Sequence, residues 1–145
     1  MFTPSRDEVR RFFLDTWGKY RRGEPLSGLE QTALEVILLH PEYHPMLEEP
    51  ERSLAREYTP ESGELNPFLH LSLHLAIEEQ LSIDHPTGIR ARFETLVART
   101  GSEHDAKHAV LECLGETVWQ AQRTGTAPDE QAYLECLDRK SSGGA

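Results

Sequence analysis

The sequence predicts an all-α fold: a single-domain antiparallel helical bundle of about five to six helices, with a short extra helix in the connection at 41–65. Two observations predict it. Runs of alternating apolar and polar residues, the mark of strands, are nearly absent, and the chain is punctuated instead by helix start and stop signals. A chain of 145 residues is the size of one compact domain. That domain is expected over 1–140, with "SSGGA" at 141–145 as a disordered Gly/Ser tail.

The first helix is expected at about 5–22, where Val9, Phe12, Phe13 and Tyr20 supply an apolar stripe and Gly23 ends the run. The basic cluster "KYRRG" at 19–23 answers the negative end of that helix dipole. A second helix runs from about Ser27 to His40, because Pro41 pushes the residue before it out of helical geometry. Residues 41–65 are rich in Pro, Glu and Gly and read as a connection with room for one short helix near "ERSLAREY". Asn66 is a good N-cap, with Pro67 at the first helical position, and opens a helix to about Ile83. Further helices are expected at Thr87–Thr100, ended by Gly101, and at Ser102–Arg123, opened by Ser102 with Asp105 three positions on. The last is expected at Asp129–Lys140. Trp17, Trp119, Phe12, Phe13 and Phe68 read as core aromatics.

Charge and composition exclude several functions. A net charge of −10 argues against nucleic acid as a partner, since neutralising phosphates needs clustered Lys and Arg. No apolar run is long enough to span a membrane, and the start has no signal-peptide pattern. Cys113 and Cys136 are the only cysteines, far apart and in helical contexts, so no disulfide is expected and a reduced cytoplasmic protein is the plain reading. There is no Gly-rich phosphate loop and no G-x-S-x-G elbow. Substrate and redox partner are not named by the sequence, and a homodimer is left open.

The histidines carry the functional signal. Six of the seven fall in three pairs at i,i+4 spacing, His40/His44, His70/His74 and His104/His108, and residues so spaced share a helix face. On a helical wheel His70 and His74 lie opposite Ser72 and Glu79, and His40 falls in the middle of the arc of Leu29, Ala33, Val36 and Ile37. His104 and His108 sit at the edge of the apolar arc of Leu111, Leu114 and Val118. Glu78 continues one row and Glu112 another, while His44 and Glu116 read as peripheral and His85 lies in a turn. Running the helices alternately up and down brings these rows to one end of the bundle.

Burying unpaired imidazoles costs roughly 1–3 kcal/mol each. A divalent metal takes neutral imidazole lone pairs, and carboxylates balance its charge. The expectation is therefore a site of one or two ions, iron or zinc foremost with manganese as a third choice, held by His40, His70, His74, Glu78, His104, His108 and Glu112. Its role would be redox or metal-dependent catalysis. The alternative is a non-catalytic interaction or scaffold module whose buried histidines are structural.

The stretches "FFLDTWGKYRRGEPLSGLE", "HPEYH", "NPFLHLSLHLAIEEQLSIDHPTGI" and "CLGETVWQAQR" resemble a family catalogued as domain of unknown function 1841. The resemblance covers the chain to about residue 140 and implies a bacterial, cytoplasmic, single-domain protein. It implies nothing about metal, which rests on the residues alone.

Overall fold

A computed structural model describes residues 6–56 and 66–142; residues 57–65 of the expected connection and 143–145 of the expected tail lie outside the described residues. The described residues form eight α-helices and no strand. The all-α class is borne out, and the count of five to six is corrected upward. The elements are α1 (Arg6–Arg22), α2 (Gly28–Leu38), a 3-10 turn (Pro41–Tyr43), α3 (His44–Leu47), α4 (Pro50–Ala55), α5 (Pro67–Ile83), α6 (Ile89–Thr100), α7 (Glu103–Thr124) and α8 (Glu130–Ser141). The surplus comes from the connection, where Pro41, Pro45 and Pro50 each stand at the start of a short helical turn. A proline is pre-set for the first turn of a helix and excluded from its interior, so each one ends what came before and restarts it. At the other end, α8 runs into the stretch expected as tail, with Ser142 as its C-cap.

The chain divides into two compact units, Met1–Leu75 and Ala76–Ala145. In the first, Phe13, Trp17, Ala33, Val36, Ile37, Leu47, Phe68 and Leu71 make a continuous buried core. Ser27 and Glu30 form a full capping box at the start of α2, and the Glu30 carboxylate also accepts from Lys19 at 2.8 Å. Buried Arg10 donates to the carbonyls of Ser53, Leu54 and Arg56 at 3.0, 3.2 and 2.6 Å. Those bonds satisfy the acceptors left over where α4 ends.

In the second unit α6, α7 and α8 pack on one another around Ile89, Phe93, Leu96, Val110, Leu114, Tyr133 and Leu137. The Tyr133 hydroxyl donates to the Gln80 side chain at 2.7 Å, and Arg92 pairs with Asp138 at 2.9 Å. Burial pushes the Tyr133 phenol above its ordinary range. Two expectations fail here. Trp119 is 53% exposed rather than core, its ring covered by the Arg123 guanidinium at 4.7 Å. Cys113 and Cys136 form a disulfide, with Cα atoms 5.8 Å apart. They are far apart in sequence, yet they lie on inward arcs of consecutive packed helices joined only by residues 125–129.

Candidate functional site

Two helix ends build the site. The Asn66 side chain accepts from the backbone N–H groups of Phe68 and Leu69 at 3.0 and 3.3 Å, fixing the first turn of α5 as its cap residue type predicts. His70 then lies in the first turn of α5, and His74 lies one turn further on. From the other side α2 stops at Leu38, and His40, ahead of Pro41, has left helical geometry, at φ −127° and ψ 64°. The three imidazoles meet there. The Nε2 atoms of His40 and His70 are 3.2 Å apart, and so are those of His70 and His74. All three residues offer a ligand atom within 4.8 Å of the others. His40 and His74 are buried, at 4% and 5% exposure, and His70 is half-buried.

His40 is held by a second bond, its Nδ1 lying 2.7 Å from the Val36 carbonyl. A carbonyl only accepts, so Nδ1 carries the proton, and in the neutral ring the Nε2 lone pair faces His70. The His70 Nε2 meets a neighbour on each side. A neutral ring nitrogen offers one hydrogen or one lone pair, so these two contacts compete for the same atom. Tyr43 completes the wall, stacked on His40 at 5.6 Å with the rings 5° from parallel and edge-on to His70 at 6.0 Å. Burial, reinforced by the Glu42 charge, raises the Tyr43 phenol above its usual range and keeps it a neutral hydroxyl. Sequence reasoning passed over Tyr43. Its position three residues after His40 in "HPEYH" was the available signal, since a 3-10 turn brings i and i+3 onto one side.

Of the seven residues expected to form the site, the structure brings together His40, His70 and His74; among the described residues no other group of three or more His, Cys, Asp or Glu ligand atoms converges. The remaining four belong to the second unit and have other engagements. Glu78 is ion-paired with Lys107 at 2.6 Å and Glu112 with Lys140 at 2.7 Å. His104 is exposed rather than inward, and its ring packs on half-buried His108 with centroids 4.5 Å apart. The wheel put both histidines at the edge of the apolar arc, and at such an edge it does not separate exposed His104 from half-buried His108. His44 sits outside the cluster: its Nε2 bonds to the Ile37 carbonyl at 2.9 Å, and its ring packs on Trp17 at 4.5 Å. His44 is thus peripheral to the cluster, as its place beyond Pro41 suggested, and its ring caps a carbonyl of the last turn of α2. His85, in its turn, pairs with Glu130 at 3.1 Å on the exposed surface.

Fold and site together define an all-α protein with a buried three-histidine cluster between the end of one helix and the start of another. The chain belongs to the family described as Domain of unknown function (DUF1841), which residues 5–139 match. No curated protein and no solved structure matches it.

Proposed function

We propose that His40, His70 and His74 hold one divalent transition-metal ion, with zinc favoured over iron or manganese. The observation that carries this reading is the pair of 3.2 Å separations between Nε2 atoms. An ion about 2.0–2.1 Å from two such nitrogens subtends an angle of about 100° between them, close to a tetrahedral arrangement. The Val36 carbonyl does for His40 what an outer ligand does in metal sites generally: it fixes the tautomer and aims the other nitrogen. An all-imidazole set suits zinc, whereas iron and manganese sites draw more on carboxylates. The engagement of Glu78 and Glu112 by lysines favours one ion over the two-ion layout the sequence allowed. Bound there, the ion would supply Lewis-acid chemistry and lower the pKa of a coordinated water.

The bacterial, cytoplasmic setting implied by the family resemblance is part of the same proposal. The fold adds that no helix among the described residues is long and apolar enough to cross a membrane.

The test is elemental analysis of protein purified without a polyhistidine tag, before and after equilibration with zinc, iron(II) and manganese(II). The expected result is one ion per chain, lost in His40→Ala and His74→Ala and kept in His104→Ala. A chain that holds no metal under any of these conditions would leave the histidines as a structural polar cluster in an interaction module.

A further inference from the structure

Helices α7 and α8 border a cavity of about 420 Å³ within the second unit, a size that takes a small ligand. Cys136 forms part of its wall and Cys113 does not. The exposures agree: Cys113 is fully buried and Cys136 retains 7%. The bridge therefore shows the cavity one of its two cysteines. The charged residues around that wall are Glu116, Asp129 and Glu135 against the single base Arg139. The local field attracts cations and repels anions.

We propose that this cavity is a thiol–disulfide exchange site in which a small neutral or cationic thiol attacks Cys136. The incoming thiolate sulfur bonds to Cys136 Sγ. The Cys113–Cys136 bond breaks, and Cys113 Sγ leaves with the electron pair and takes up the proton that the incoming thiol released. A second thiol then attacks the external sulfur of the mixed disulfide and frees Cys136. Two small thiols are oxidised to one disulfide, and the protein gains two electrons and two protons. In a cytoplasmic setting such a bridge is characteristically transient or redox-sensing rather than a permanent staple. The site is independent of the histidine cluster, which lies in the other unit.

The experiment uses the oxidised full-length chain with cysteamine and with mercaptoacetate, compared at equal thiolate concentration. Samples are acid-quenched, digested and mapped by mass spectrometry, and rates are normalised to those on the urea-unfolded chain. The expected adduct is on Cys136, forming about tenfold faster with cysteamine, and the preference shrinks at high salt and in Glu116→Gln/Glu135→Gln. An adduct on Cys113 would overturn the proposal. So would equal normalised rates, or exchange no faster than global unfolding.

Discussion

The Nδ1 of His40 stands 2.7 Å from the carbonyl oxygen of Val36, one turn back in α2, and this contact commits the opposite nitrogen to the space shared with His70 and His74. A ligand that binds only the folded chain stabilises it by mass action, by about 2.7 kcal/mol at a free concentration one hundred times its Kd. Zinc should therefore raise the Tm of the wild-type chain and of His104→Ala. It should leave His40→Ala and His74→Ala where they were. Differential scanning calorimetry with and without zinc reads this directly, and an equal rise in all four chains would point to binding elsewhere.

Asn66 is expected to matter to the site without touching it. Its side chain caps the first turn of α5, the turn that carries His70. Asn66→Ala should cost about 1 kcal/mol of stability in urea melts. The frayed turn should also weaken zinc binding severalfold in a competition titration, and Asn66→Asp should restore both. Lost stability with unchanged affinity would mean that His70 is placed by packing alone.

What the sequence made legible follows from how far each signal reaches along the chain. Asn66, Ser102 and Gly101 mark helix ends through bonds to residues within about one turn, and all three do so in the structure. His70 and His74 were legible as a pair because i,i+4 spacing is local, and His40 because Pro41 stops its helix. The carboxylates were not. Glu78 and Glu112 continue the histidine rows on a wheel, but a wheel cannot show that Lys107 and Lys140 arrive from other helices to take them. The Cys113–Cys136 bridge escaped for the same reason, since it depends on which faces of α7 and α8 meet.

Removing that bridge should be costly but survivable. It joins residues 23 apart in sequence, and releasing a loop of that length returns about 3 kcal/mol of chain entropy to the unfolded state. The double variant Cys113→Ala/Cys136→Ala should lose about that much in urea melts. It should keep its helix content by circular dichroism, because Tyr133–Gln80 and Arg92–Asp138 still hold α8. Its metal content should match the wild type, since His40, His70 and His74 belong to the first unit.

Asp84 gives the chain a dependence on acid that can be assigned to one group. It sits between α5 and α6 at φ +51°, and its carboxylate accepts the backbone N–H of Arg90 at 2.9 Å and of Gly88 at 3.4 Å. The bond from Arg90 is the largest influence; burial opposes it, and with the bond from Gly88 and the Arg90 charge added the carboxyl is held below its ordinary range. With the folded value below the unfolded one, the unfolded chain binds the proton more readily. The contribution is therefore complete above the ordinary carboxylate range of about 4 and is lost as the pH falls through it and below. Asp84→Asn keeps a side chain that tolerates the left-handed backbone but removes the charge. Its urea midpoint should fall below that of the wild type at pH 7, and the two should converge as the pH is lowered from 5 towards 3. A gap that stays constant across that range would assign the loss to amide geometry instead of to the carboxylate charge.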